Sequence, residues 1–382
     1  MNRVYLDHSA STPVLPEVLD AMKPYYLSEY GNASSLHGFG TKARRALEES
    51  REIVAKFIGG SPDSIIFTGS GTEADNLAIQ GTYFKNKGKQ QHFITSAIEH
   101  PAVLSTCQFM EDLGVKVSYL PVNGAGIIDP ETIQARVTDK TDLISIMYAN
   151  NEIGTIQPIT EIGRIASTRN IAFHTDAVQA LGTIRIDVKK SGINMLSASG
   201  HKLYAPKGVG FLYIDDKNRI SPILRGGGHE YGLRPSTENV PSIVGLAKAV
   251  EIISKDLERE AARELQLREY LVKHVLAEIS GSSLNGSRAE RLPGNANLSF
   301  EGVSGFDLVL VLDREGIAVS TGSACHSSSA KPSHVLLAIG CSEDDNKGTI
   351  RISIGRQTTQ EQIDYVLEKL SGAIKELRSE KT

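Results

Sequence analysis

The sequence predicts an α/β protein in two parts: a large domain built on a seven-stranded, mainly parallel sheet, and a smaller α+β domain. Three observations carry this. Between residues 64 and 214, short apolar, β-rich runs alternate with helix-like stretches, the pattern of a doubly wound sheet. After residue 240 a long charged helical pattern gives way to a second group of strands. The chain has 382 residues, whereas single cores stop growing near roughly 250–300 residues.

The elements follow in order. The first fifteen residues carry no helical pattern and are assigned to the smaller domain. Ala43, Ala46, Leu47, Ser50, Ile53, Val54 and Phe57 recur at helical spacing, and Gly59-Gly60 closes the pattern as a C-cap would. The seven strands are read at Ile65–Phe67, His92–Ile94, Val115–Leu120, Leu143–Met147, Ile171–His174, Met195–Ala198 and Val209–Ile214. Val240 to about Ser280 reads as one long linking helix. Ala296–Phe300, Leu308–Leu312, Ile317–Ser320 and Thr349–Ile354 read as strands, followed by a helix from about Thr359 to Leu377. The division places residues 15–255 in the large domain, and 1–14 with 256–382 in the small one.

Composition narrows the function classes. Lys plus Arg number 41 and Asp plus Glu 45, for a net charge of −4 without any block of like charges, which argues against nucleic acid as a partner. The longest aliphatic run, Leu308–Leu312, has five residues, too few for a membrane span or a signal peptide. Three cysteines without a CxxC pair cannot complete a disulfide framework and fit a reducing compartment. The expectation is a cytoplasmic enzyme.

Two motifs carry chemistry. Thr68-Gly69-Ser70-Gly71-Thr72-Glu73-Ala74 joins a strand to a helix start, where backbone N–H groups favour a phosphate. Gly69, Gly71 and Ala74 also satisfy a dinucleotide fingerprint, but Lys87 to Gln91 offers no acidic ribose anchor; a tight turn without ligand is the plain alternative. The second motif, Ser199-Gly200-His201-Lys202, follows another strand. An isolated Lys202 is most simply a surface lysine. Asp176 and Gln179, at the end of the preceding strand, change that reading, because strand ends of one parallel sheet face one crevice. A carboxylate for a pyridinium nitrogen and an amine for an aldehyde are what pyridoxal 5′-phosphate requires.

Taken together, Tyr5 to Ala10, Gly31-Asn32, Gly71 to Asn76, Glu99-His100, Asn150 to Gly154, Asp176, Gln179, Ser199 to Lys202, Gly226 to Glu230, Gly322 to Cys325 and Arg351 to Arg356 resemble the cysteine desulfurases. These are class-V aminotransferase relatives with the aspartate-aminotransferase-like, fold type I architecture. The resemblance implies pyridoxal 5′-phosphate bonded to Lys202, with Asp176 on the ring nitrogen, Gln179 on the ring oxygen and His100 stacked on the ring as a catalytic proton carrier. It implies Gly71, Thr72, Ser199, His201 and, from a second subunit, Thr237 around the phosphate, and Asn151 near ring and substrate. Asn32 and Arg356 would bind the carboxylate of L-cysteine, arginine being suited to it by its planar fork.

The same resemblance assigns sulfur chemistry to Cys325, which lies in the serine-rich, bulk-poor segment Ser320–Ala330, as suits an exposed loop able to move. Cys107, in a helical apolar pattern, and Cys341, beside Gly340, read as structural thiols. Residues 320–333 resemble the long-cysteine-loop branch associated with nitrogen fixation and iron–sulfur assembly. That implies a homodimer delivering persulfide sulfur to an iron–sulfur scaffold protein or another acceptor. No resident metal is implied, with Cys325 at most a transient iron–sulfur ligand. Ala33 and Pro235-Ser236 depart from the family pattern, and a proline at 235 removes an N–H near Thr237. The alternatives are a selenocysteine lyase or another fold type I lyase or transaminase.

Overall fold

The computed structural model describes residues 3–321 and 332–379. Cys325, and with it most of the expected cysteine loop, lies outside the described residues.

The chain begins with β1 (Val4–Tyr5), α1 (Pro16–Leu27) and α2 (Gly38–Phe57). It then lays down β2 (Ile65–Thr68), α3 (Gly71–Lys85), β3 (His92–Ser96), α4 (Pro101–Asp112), β4 (Lys116–Leu120), α5 (Pro130–Arg136), β5 (Thr141–Ser145), α6 (Ile159–Thr168), β6 (Ala172–Asp176), β7 (Met195–Ser199) and β8 (Gly210–Ile214). The strands β2 to β8 form one sheet of seven in the order β2-β8-β7-β6-β5-β3-β4. Only β8 runs against its neighbours, so the carboxyl ends of the other six strands share one edge.

The apolar runs of these strands are buried on both faces, as expected for a sheet covered by helices. Alternate residues sort into two clusters: Ile65, Phe67, Ile94, Ile144, Phe173 and Leu196 pack on one face, and Ile66, Phe93, Leu143, Ala172 and Met195 on the other. A bidentate ion pair inside the fold ties α2 to the Gly226–Glu230 motif. Arg51 meets the Glu230 carboxylate at 2.8 and 2.9 Å, and Glu230 also accepts the Phe67 N–H at 2.8 Å.

The rest of the chain forms α7 (Val240–Ser254), α8 (Leu257–Glu278), β9 (Ser282–Leu284), β10 (Asn295–Phe300), α9 (Gly305–Arg314), β11 (Ile317–Ala318), α10 (His334–Ala338), α11 (Glu343–Lys347), β12 (Thr349–Ser353) and α12 (Gln360–Ser379). A three-stranded antiparallel sheet β12-β10-β9 underlies a separate core that includes Leu271, Leu298, Leu308, Ile352 and Ile363. The N-terminus joins this core: β1 pairs with β11, and Val4 and Leu6 are buried in it.

Two sequence expectations are corrected. Leu308–Leu312 is not a strand but the middle of α9. Ser304 caps that helix by accepting the Asp307 N–H, Asp307 and Arg314 sit at the ends that suit their charges, and Leu308 and Leu312 form the buried stripe. A five-residue apolar run is compatible with either structure, and the caps decide. The long helix over Val240–Ser280 is two helices. Asp256 leaves helical geometry (φ −142°, ψ 20°), and its carboxylate holds Arg356 and Arg259.

Candidate active site

The shared carboxyl edge of the sheet borders a cavity of about 470 Å³, lined by the residues that strand-end reasoning sent there, Asp176 and Gln179 after β6 and Lys202 after β7, and by others that the resemblance added: Ser199 and His201 after β7, Gly71 and Thr72 after β2, His100 after β3, and Asn151 after β5.

The start of α3 borders the cavity. Ser70 caps α3 by accepting the Glu73 N–H at 3.1 Å, while the Glu73 carboxylate reaches back to the Gly69 N–H at 2.7 Å and is held by Arg234. Gly71 follows at the helix start, where a Cβ would lie 2.6 Å from Val178 Cγ2 and 3.3 Å from Ser199 Cβ. Only glycine permits this approach. Helix N-termini of this kind bind phosphate, and the Thr72, Ser199 and His201 side chains border the same cavity. Burial, aided by the positive charges of Lys202 and Lys207, pushes His201 down to about 4, so its ring is neutral at neutral pH.

The cavity also carries a carboxylate and an amine. Asp176 is 6% exposed and accepts the Val178 N–H at 2.9 Å. Burial raises it above the usual carboxylate range, while the charges of His100 and Lys202 pull it back. The Lys202 Nζ donates to the carbonyls of Ser9 (2.5 Å) and Ala10 (2.7 Å), and Gln179 donates to Ser9 as well. Burial first, and the Arg351 charge second, lower Lys202 from 10.5 to about 8. Its proton is therefore given up near pH 8 rather than above pH 10.

His100 is the N-cap of α4, its Nδ1 accepting the Ala102 N–H at 3.1 Å. Burial lowers it below its ordinary value. A neutral ring whose Nδ1 accepts carries its hydrogen on Nε2, an assignment drawn from the hydrogen bond.

Residues 4–366 match the family described as Aminotransferase class-V. A cysteine desulfurase IscS of Dictyoglomus turgidum is 48% identical over 376 residues, 98% of this chain and 95% of its own. The chain belongs to the cysteine desulfurases. Among solved structures, a NifS-like protein superposes with a TM-score of 0.92 at 38% identity, covering 98% of this chain and all of its own. SspA, solved in complex with cysteine, gives 0.83 at 40% identity over 92% of this chain and 99% of its own.

Three residues that the desulfurase resemblance assigned are not brought to this cavity. Asn32 is exposed on the segment before α2, its Oδ1 accepting the Ser34 N–H. Thr237 is exposed in the single chain. Arg356 lines a small neighbouring cavity of about 50 Å³, its guanidinium held by Asp256 at 2.8–3.0 Å. Arg351 lines the large cavity, which shares Ser9, Gln179 and Lys202 with the small one. It donates to the Asn151 carbonyl (2.9 Å) and to Asp7 (2.8 Å), and its buried Nε has no partner. Sequence reasoning missed Arg351 although it begins the Arg351–Arg356 run that carries the resemblance. On a strand such as β12 the facing residue alternates, and local pattern does not say which arginine faces a distant site. Asp75 was also missed, since a helical aspartate reads as solvent-facing.

Cys107 is buried, its thiol pushed up to about 12 by burial, and Cys341 is half-buried with Sγ 3.6 Å from Asn285 Oδ1. Neither is in a setting that favours thiolate. Among the described residues no cluster of metal-binding side chains occurs, and no helix is long and apolar enough to cross a membrane.

Proposed function

We propose that the chain converts L-cysteine to L-alanine with pyridoxal 5′-phosphate and takes the sulfur onto Cys325 as a persulfide. The observation that carries this reading is the meeting of Lys202 and Asp176 in one cavity that the start of α3 also borders. The relatives named cysteine desulfurase support it over a selenocysteine lyase.

The donor set fits the cofactor. Gly71 leaves room that a Cβ would fill, and the chemistry of the other groups matches: Lys202 for the aldehyde carbon, Asp176 for the ring nitrogen, Gln179 for the ring oxygen, and Thr72, Ser199 and His201 for the phosphate. Thr237 would reach the phosphate of a second subunit, which is consistent with its exposure here. Bound there, the cofactor supplies a conjugated ring able to take up the electron pair released at the substrate Cα.

The protein's own part follows from its side chains. Lys202, lowered to about 8, is the base for the Cα proton, and the Ser9 and Ala10 carbonyls hold its nitrogen in place. Arg351, which lines the large cavity, is the better candidate than Arg356 for the substrate carboxylate; each fork already holds a carboxylate, Asp7 and Asp256, and the cavity each lines separates them. His100 presents Nε2–H and so acts first as a hydrogen-bond donor; accepting a proton requires the tautomer that gives up the Ala102 cap. At Cys325 the thiolate bonds to the substrate sulfur, the Cβ–Sγ bond breaks, and Cβ receives a proton, so that one thiol and one cysteine become one persulfide and one alanine.

The reading extends to a cytoplasmic homodimer that passes sulfur to an iron–sulfur scaffold or similar acceptor. It also places the domain boundary near residue 255, supported by the helix break at Asp256 and by the separate cores.

The test is the visible spectrum with alanine and sulfide assays. Wild type is expected to be yellow and to form both products from L-cysteine. Lys202→Ala should lose the colour, and Cys325→Ser should keep it while losing sulfide release. Sulfide release at the wild-type rate by Cys325→Ser would remove Cys325 from the mechanism, and a colourless wild type given excess pyridoxal 5′-phosphate would remove the cofactor.

A further inference from the structure

Behind Asp176 lies a polar layer that the proposed chemistry does not use. Asp75, in the second turn of α3, is 1% exposed and borders the cavity together with Asp176. Its Oδ1 has no hydrogen-bond partner. Among the described residues, the side chain paired with it that can become positive is His174, whose Nε2 lies 3.6 Å from Oδ1. That imidazole is fully buried and engaged on both sides, with Nε2 2.9 Å from Ser197 Oγ and Nδ1 2.8 Å from Ser145 Oγ. The Ser197 hydroxyl also neighbours Asp75 and pulls it back toward the usual carboxylate range, against the effects of burial and of the Asp176 charge. The charged or titratable groups facing Asp75 are therefore Asp176 and His174 from β6 and Glu99 from the turn before α4.

Two carboxyls this close and this deep do not both ionise: burial and like charge each oppose it, and a buried charge without a partner takes up a proton instead. Asp176 is the one equipped to stay charged. It accepts a backbone N–H and faces His100 and Lys202. For Asp75 the choice is between a neutral acid beside a neutral His174 and an ion pair with the same number of protons. The ion pair is disfavoured by geometry, because charge-assisted N–H···O bonds run at about 2.7–2.9 Å and 3.6 Å gives too little in return for desolvating two ions. Burial acts in the same direction, raising Asp75 and lowering His174 to about 3.

We propose that Asp75 is a positioning residue that works as a neutral acid: it keeps its proton at working pH, so that of the two carboxyls only Asp176 presents a negative charge to the ring-binding end of the cavity. The inference takes from the functional reading only which end receives the ring. A single anion then faces a single cationic ring nitrogen, and the Ser145–His174–Ser197 chain beside Asp75 adds no charge.

The test uses cofactor-free protein, so its failure is distinct from failure of the functional reading. Infrared difference spectra of wild type against Asp75→Asn at pH 7 should show the C=O stretch of a protonated carboxylic acid in wild type only, shifting when the aspartates carry 13C. Melting of the two proteins supplies a second readout. A raised carboxyl makes the folded wild type bind more protons than the unfolded chain above about pH 4, so its stability falls as pH rises. The melting temperature of Asp75→Asn relative to wild type should therefore increase by several degrees, ~4 °C or more, between pH 5 and pH 8. If the variant does not fold, the labelled wild type alone decides through its acid band. No such band, an imidazolium signal from His174 in 15N spectra, or a melting difference that is flat between pH 5 and pH 8 would overturn the proposal.

Discussion

Lys202→Met in the cofactor-free protein should stabilise the fold at neutral pH, and that gain should disappear as the pH climbs. Burial and the neighbouring Arg351 hold the amine at about 8 in the folded chain, against about 10.4 in an unfolded one. Below pH 8 both states carry the proton, and the fold bears the full cost of a poorly solvated ammonium, ~3 kcal/mol from the displacement. Between pH 8 and about 10.4 the folded chain releases its proton first, the unfolded state binds more protons, and wild-type stability rises with pH. Above that range the cost is gone. The variant also forfeits two hydrogen bonds, to the Ser9 and Ala10 carbonyls, worth ~1–2 kcal/mol together. The net expectation is a gain of ~1–2 kcal/mol at pH 7 that crosses to a small deficit near pH 10.5. Urea unfolding of both proteins at pH 7, 8.5 and 10 measures it, since other groups titrate equally in both and cancel. A difference in stability that is constant across this range, or that moves in favour of the variant as pH rises, would mean that the amine titrates at its ordinary value. Lys202 would then not be poised as a base near neutrality.

The remaining expectations concern the walls of the site. Arg351→Gln should raise KM for L-cysteine by ~10–100-fold, the worth of a charged hydrogen-bonded contact, whereas Arg356→Gln should lower thermal stability through loss of Asp256 and leave KM within about threefold by the same scale; equal KM effects would return the carboxylate to Arg356. Gly71→Ala places a methyl 2.6 Å from Val178 Cγ2, and overpacking of ~1–3 kcal/mol should weaken pyridoxal 5′-phosphate binding about tenfold or more, read by fluorescence titration. Arg51→Met leaves the Glu230 carboxylate buried without its partner and should cost ~3–5 kcal/mol of stability in urea unfolding, while Arg51→Met with Glu230→Gln should recover part of it.

Most of the candidate cavity was legible in the sequence because its residues sit at the ends of parallel strands. Once seven alternating runs imply such a sheet, Asp176, Gln179 and Lys202 are sent to one edge by topology; the family resemblance added Gly71, His100 and Asn151, and all six line one cavity. Reasoning failed where the deciding contact was distant or the local signal was degenerate. Leu308–Leu312 suits a strand or a helix until Ser304 caps it. Asp256 continues a helical pattern until its carboxylate is drawn out of it to Arg356. Asp75 has the spacing of an exposed helical residue, yet α3 lies against β6 and β7 with that face inward.

The sequence by itself determined the seven strands of the large sheet and the chemical types gathered at the sheet edge, because periodicity and strand-end motifs are local properties of the chain. Tertiary structure alone decided which of two arginines five positions apart enters the cavity. Arg351 is oriented by Asp7, 344 residues away, and Arg356 by Asp256, 100 residues away. It also decided that Asp75 borders the same cavity as Asp176, with His174 at 3.6 Å beside it. Charge and protonation inside a fold depend on what burial leaves nearby, and neighbours across strands and helices are set by packing rather than by spacing along the chain.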